Sequence, residues 1–169
     1  MDPLQRARVF GWWSLLVWLS LGLVLEGMHG FKVGWYLDVV NDARQLMLRL
    51  AHAHGTLLAL VNLAFAATIK ASDASLGLAR GATCLRWAAV LMPVGFLAGG
   101  IQIYGADPGF GIVLVPIGGV VLFLGVLAVA RAVAVASRAA PAAPPAPTPA
   151  APPSPPRAPE SKPSAGKRG

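Results

Sequence analysis

The chain has 169 residues, of which 56% are hydrophobic and 12% are charged, and its mean hydropathy is +0.63. Soluble domains are about 45–50% apolar and about 25% charged, so the composition excludes an ordinary soluble domain and indicates a membrane domain. The 14 Lys and Arg residues outnumber the 7 Asp and Glu residues, but most of them flank apolar segments, which indicates membrane topology and not specific nucleic-acid binding.

Four apolar segments are long enough to cross a bilayer as helices, which takes about 20 residues each. They cover residues 9–28, 50–69, 87–104 and 110–135. The first holds Trp12, Trp13 and Trp18 and lacks a site of small residues for signal-peptide cleavage, so it is predicted to be retained. The predicted fold class is all-α, an integral membrane four-helix bundle over residues 1–138.

The basic residues predict the orientation of these spans, because Lys and Arg are retained on the cytoplasmic side. Three of them lie in the first loop and none in the loop 105–109. The other side has seven, which are Arg6, Arg8, Lys70, Arg80, Arg86, Arg131 and Arg138. Both termini are therefore predicted to be cytoplasmic, and the richness in Ala, Gly, Pro and Arg fits a bacterial inner membrane.

The last segment, residues 139–169, differs from the rest because it holds 11 of the 15 prolines and ends on Lys167 and Arg168. Dense proline with few apolar residues cannot form a core. The sequence predicts a disordered, basic Pro/Ala-rich tail.

The second helix is predicted to start before its apolar segment, because Asp42 and Gln45 have the spacing of a capping box. From that start, a polar stripe on the helix contains His52, whereas His54 falls on the apolar stripe. Intramembrane polar groups normally face protein or a water-filled cavity, so His52 is predicted to face a neighbouring helix. Two residues apart, the two imidazoles point in nearly opposite directions.

The strongest functional hint is a group of titratable residues near the predicted outer interface. Glu26 and His29 end the first span and share a helix face, with Gly22 beneath them for close helix approach, and His52 and His54 open the second. A carboxylate with imidazoles suits a divalent metal, and histidines on facing helices suit a haem. Glu26 and His29 alone suit a proton relay. The alternative is interfacial polarity, with Glu26 paired to Lys32, Arg44 or Arg49.

Gly95 and Gly99 in the third span form a GxxxG pattern, which is typical of a close helix-packing face. Asn62 in the second span is a predicted interhelical hydrogen-bonding residue. The single cysteine, Cys84, excludes an internal disulfide and a Cys-rich metal site. Phosphate-binding, nucleophile-elbow and zincin motifs are absent, which disfavours soluble-enzyme chemistry.

Three resemblances follow from these segments. Residues 25–32 (LEGMHGFK) and 50–56 (LAHAHGT) resemble small bacterial inner-membrane proteins with four helices, which implies a fold and a location but no activity. The segment His52-Ala53-His54 resembles the histidine-bearing helices of haem-copper oxidase subunits, which implies a haem or copper ligand, although the later histidines are absent. Four short helices with a Glu in the first also resemble small multidrug resistance transporters, although Glu26 lies at the end of its span.

The sequence thus predicts a multi-pass membrane protein, more consistent with a non-enzyme, that acts through packing in the bilayer or through contacts with a second copy or a membrane-protein partner. Two alternatives are a metal- or haem-binding membrane protein that uses Glu26, His29, His52 and His54, and a small proton-coupled transporter in which Glu26 titrates.

Overall fold

The structure is a computed structural model that describes residues 3–38, 40, 42–69 and 76–139. Within these residues it has four long helices: α1 at Pro3–Gly30, α2 at Asp42–Thr68, α3 at Leu76–Ile101 and α4 at Leu114–Ala139. Each is 26 to 28 residues long, or about 40 Å at the rise of an α-helix. All four are long and apolar enough to span a membrane.

Two of the helices begin earlier in the sequence than predicted. α2 begins at Asp42, as the capping-box spacing predicts. α1 and α3 begin well before the predicted 9 and 87, at Pro3 and Leu76. The hydropathy of the sequence marks only the part of each helix that is apolar enough for the hydrocarbon layer. The helix itself continues beyond that part, through polar turns at the membrane interface. The predicted tail beyond Ala139 lies outside the described residues.

The third span also ends earlier than predicted, at Ile101 in place of residue 104. The chain then forms a hairpin in which strand β1, Ile103–Tyr104, pairs antiparallel with strand β2, Asp107–Pro108. Gly105 and Ala106 at its turn both have positive φ, 56° and 72°, as tight two-residue hairpin turns require. A short 3-10 helix, Phe110–Val113, leads into α4.

The helices pack in chain order, α1 on α2, α2 on α3 and α3 on α4, with a smaller contact between α1 and α3. α2 and α3 are therefore central. Of their most apolar stretches, 39% and 44% of residues are buried, against 22% for α1 and 11% for α4. The outer faces of α1 and α4 are left for lipid or for another protein.

The bundle has two ends, which we name by what they hold. The terminal end holds the start of α1, the end of α2, the start of α3 and the end of α4. Its core contains Ala7, Phe65, Ala66, Leu78, Ala82 and Leu85. The loop end holds the α1–α2 loop and the hairpin, and its core contains Leu25, Tyr36 and Leu48. Between the two lies a cluster of Trp18, Met47, Ala51 and Phe96.

Asn62 lies inside the core, with 1% of its surface exposed. Its Nδ2 donates to the carbonyl oxygen of Leu58 in its own helix at 2.9 Å and to that of Leu85 in α3 at 3.4 Å. The predicted interhelical role of Asn62 is therefore confirmed. The bond joins the two central helices.

Candidate functional site

The four residues of the predicted cluster lie on α1 and α2 toward the loop end. Glu26 and His29 stand in the last turns of α1, and both side chains are exposed. His52 and His54 stand in the first half of α2, and both are half-buried. The two helices bring the four residues to one part of the bundle but give them different surroundings.

His52 faces α1, in agreement with the prediction from the polar stripe. Its Nδ1 donates to the carbonyl oxygen of Trp18 at 2.8 Å. The carbonyl oxygen only accepts, so Nδ1 carries the hydrogen of this bond. The ring lies on Gly22, where a Cβ atom would stand 2.7 Å from Nδ1 and 2.9 Å from Nε2. The imidazole thus touches the α1 backbone.

The same kind of contact is repeated in the opposite direction about one turn away, four residues along α1 and three along α2. The indole of Trp18, with 7% of its surface exposed, covers Gly55 of α2, where a Cβ atom would stand 2.6 Å from Cδ1. We call Trp18, Gly22, His52 and Gly55 the α1–α2 clasp. Each helix supplies one ring and one glycine, so each ring fills the space that the missing side chain leaves.

His54 faces the other way. Its Nδ1 donates to the carbonyl oxygen of Leu50 at 2.9 Å, and its ring centroid lies 4.8 Å from that of Phe96 in α3 at an interplanar angle of 34°. His52 therefore serves the α1–α2 interface and His54 the α2–α3 interface, which confirms the prediction that the two rings diverge.

This divergence bears on the predicted metal centre. Within the described ranges, no three or more His, Cys, Asp and Glu side chains lie close enough together to hold one metal ion. The Nδ1 atoms of His52 and His54 are each bonded to a main-chain carbonyl oxygen, of Trp18 and of Leu50. The metal, haem and proton-relay roles of Glu26, His29, His52 and His54 stay predictions.

The α1–α2 loop is held on α2 by two arginines. Arg49 donates from Nε to the hydroxyl of Tyr36 at 3.3 Å, and Tyr36 is itself buried, with 2% of its surface exposed. Arg44 donates to the carbonyl oxygen of Trp35 at 2.9 Å, and its guanidinium carbon lies 4.6 Å from the centre of the Trp35 ring. The arginines considered as partners for Glu26 thus contact the Trp-Tyr pair of the loop, a role that the sequence reasoning missed.

Gly95 and Gly99, the predicted packing face, lie against the segment that leads into α4. A Cβ atom on Gly95 would stand 3.0 Å from the Gly111 carbonyl oxygen, and one on Gly99 would stand 3.5 Å from the Ile112 nitrogen. The Gly109 N–H donates to the Gly99 carbonyl at 3.0 Å. The helix that approaches this face belongs to the same chain.

A groove of about 310 Å³ lies between α1 and α3 toward the terminal end, on the side of α3 that carries arginines. Its lining residues are Phe10, Thr83, Arg86, Trp87 and Val90. Sequence reasoning used Arg86 only as an orientation signal. The spacing of Arg80, Thr83 and Trp87 on one helix face, next to Arg86, is the pattern that points to this groove.

Comparisons of the chain with protein-family models, with curated proteins and with solved structures find no match.

Proposed function

We propose that the protein is a multi-pass inner-membrane protein with both termini in the cytoplasm, and that it acts by associating with a second copy of itself through α4 and not by catalysis. The observation that carries the proposal is the surface formed by α4 and α2. α4 has the highest hydropathy of the four helices, 2.8 in its most apolar stretch, and the smallest buried share, 11%.

One stripe of α4 has the spacing of a helix-pairing seam. Gly119, Phe123, Val126 and Ala130 follow one another at four, three and four residues, so they share one face of the helix. Phe123 and Val126 are 67% and 49% exposed. A Cβ atom at Gly119 would meet nothing within 4 Å, so its backbone is open to the approach of another helix.

Two residues of the stripe, Val126 and Ala130, line a groove between α2 and α4. The groove measures about 310 Å³, and the larger residues of its walls are interspersed with the small residues Ala64 and Thr68 on α2 and Ala130 on α4. Stripe and groove belong to one surface. In a closed two-fold dimer, both copies use the same surface for the interface. The stripe of each copy can therefore enter the groove of the other.

The terminal end of the bundle supports the proposed orientation. Among described residues it carries Arg6, Arg8, Arg80, Arg86, Arg131 and Arg138, whereas the described acidic residues, Glu26, Asp38, Asp42 and Asp107, all belong to the loop end. Because arginines are retained in the cytoplasm, this polarity favours a cytoplasmic terminal end.

The orientation is tested by cysteine labelling in a Cys84→Ser background. In spheroplasts, we expect a membrane-impermeant maleimide to label Lys32→Cys in the α1–α2 loop at once, and Arg138→Cys at the end of α4 only after the membrane is opened. Both positions are exposed on the bundle, so equal reactivity after opening serves as the control. The opposite pattern of labelling would reverse the proposed orientation.

The association is tested by energy transfer between labelled copies of the full chain in lipid vesicles. Gly119→Leu fills open space in one copy and obstructs a second, so we expect it to weaken the dimer about tenfold or more, which corresponds to ~1.4 kcal/mol. Leu23→Phe adds bulk to α1 at a residue that is 77% exposed and serves as the matched control. Dimerisation that is equal in the two variants, or a wild-type chain that stays monomeric, contradicts the proposal.

A further inference from the structure

The groove between α1 and α3 is lined by a charged side chain, Arg86, at a membrane depth where charged side chains are rare. α3 ends at Ile101, where the hairpin begins. A hydrocarbon layer takes about 20 residues of helix, so a layer that ends near Ile101 begins near Ala82, one turn before Arg86. The backbone of Arg86 thus lies about one turn inside the apolar layer and its guanidinium lies near the edge of that layer, where charged side chains normally have a partner.

The contacts of Arg86 leave part of its hydrogen-bonding capacity unused. One terminal nitrogen donates to the hydroxyl of Thr83 at 3.3 Å. The Nε atom is buried and has no hydrogen-bond partner. The described acidic side chains all lie at the loop end, and Asp2 and Asp73 fall outside the described residues. Within the described part of the chain, Arg86 therefore has a neutral hydroxyl as its partner where a charge is expected.

Two more arginines flank the groove one turn closer to the terminal end. Arg6 precedes Phe10 by four residues on α1, and Arg80 precedes Thr83 by three residues on α3, so each shares the helix face of a lining residue. Both are exposed. Trp87 lines the groove with 58% of its surface exposed, and an indole at this depth is typical of the boundary between headgroups and hydrocarbon.

We infer that this groove binds an anionic phospholipid, with the lipid phosphate at Arg86, Arg80 and Arg6 and an acyl chain along Phe10 and Val90. Guanidinium groups bind phosphate oxygens in a bidentate manner, and basic pockets between membrane helices on the cytoplasmic side bind anionic headgroups. Along α3 the polar lining residues, Thr83 and Arg86, precede the apolar ones, Trp87 and Val90, which matches the headgroup and acyl chain of a phospholipid and does not match a free phosphate ion. The assignment to the cytoplasmic leaflet rests on the proposed orientation.

The test is native mass spectrometry of the full chain in mixed micelles that contain equal amounts of phosphatidylglycerol and phosphatidylcholine. We expect the wild-type chain to retain phosphatidylglycerol in preference, and Arg86→Gln to reduce that preference about tenfold, because it removes a charge-assisted contact. Arg131→Gln is the matched control. Arg131 is an exposed arginine of α4 at the same end of the bundle, and we expect its replacement to leave the preference within about twofold, since it is not in the groove.

Several results overturn the inference. They are a wild-type chain without preference, an equal loss in Arg131→Gln and Arg86→Gln, and displacement of the bound lipid by millimolar inorganic phosphate, which would make the groove a site for the free ion. Thermal melting in phosphatidylcholine alone checks that Arg86→Gln folds. If Arg86→Gln does not fold, Arg80→Gln is measured in its place, because Arg80 is exposed. We expect a smaller loss of the preference for phosphatidylglycerol in Arg80→Gln, and an unchanged preference would refute the site. The micelle assay has no sidedness, so its result is independent of the orientation test.

Discussion

Gly109→Ala is expected to lower the free energy of unfolding by about 3 kcal/mol, at the upper end of the usual cost of overpacking, because it distorts the segment 102–113 between α3 and α4, which we call the α3–α4 corner. Gly109 lies between the hairpin and the 3-10 helix, and its N–H donates to the Gly99 carbonyl at 3.0 Å. A Cβ atom there would overlap the carbonyl oxygen of Gln102 and stand 2.8 Å from its Cβ. A backbone oxygen cannot rotate away, so the hairpin and the start of α4 must move apart.

The measurement is the free energy of unfolding of the reconstituted chain in mixed micelles of rising SDS content, followed by circular dichroism. Gly27→Ala is the matched control, because a Cβ at Gly27 in α1 would meet nothing within 4 Å. Alanine favours a helix over glycine by about 0.5–1 kcal/mol, so the control is expected to be neutral or slightly stabilised. Equal curves for the two variants would show that the corner is not as tight as the geometry indicates.

The α3–α4 corner is a part of the fold that hydropathy does not predict. Hydropathy predicts the four spans because a membrane helix must be apolar over about 20 residues. It extends the third span to Tyr104, since Ile103 and Tyr104 are as compatible with a bilayer as the residues before them. The hairpin depends on positive φ at Ala106, a conformation that alanine rarely adopts. The composition of this segment therefore does not predict the hairpin.

The start of α3 illustrates the reverse error. Residues 76–86 include Arg80, Thr83 and Arg86, which lower the mean hydropathy below that of a span. The helix nevertheless runs through them from Leu76. Reading these residues as a loop placed Arg86 outside the bilayer. The groove that Arg86 lines is therefore not predicted from the sequence.

At the candidate site, periodicity predicts directions and does not predict partners. The polar stripe correctly turns His52 toward a neighbouring helix, and the spacing of two residues correctly sends His54 elsewhere. The sequence predicts that a helix approaches Gly22 closely beneath Glu26 and His29, and the group that contacts Gly22 in the structure is the His52 ring. Which ring meets which glycine depends on the relative register of α1 and α2, and tertiary packing alone determines that register.

The α1–α2 clasp gives the second large expected effect. Trp18→Ala removes a side chain with 7% of its surface exposed, and loss of a buried tryptophan costs about 3–5 kcal/mol. We expect a destabilisation of about 3 kcal/mol, because water does not drive packing inside a bilayer and only the lost contacts count. The His52 hydrogen bond is to the main-chain oxygen of residue 18, so the substitution leaves it in place.

The clasp is tested most sharply by exchanging volume across it. Gly55→Leu alone is expected to cost about 2 kcal/mol, because the new side chain collides with the indole of Trp18. Combined with Trp18→Ala, the same leucine enters the vacated space. The double variant is therefore expected to be more stable than the sum of the two single effects by about 0.5–3 kcal/mol, the range of coupling between contacting residues. The same SDS titration measures all four proteins of this cycle, and a coupling of zero would mean that Trp18 and Gly55 do not pack against each other.

The control is the pair Trp18→Ala and Leu23→Phe, which is expected to be uncoupled because Leu23 is exposed on α1. Additive effects in this control pair, together with coupling between Trp18 and Gly55, would place the stabilising contact at the interface between α1 and α2.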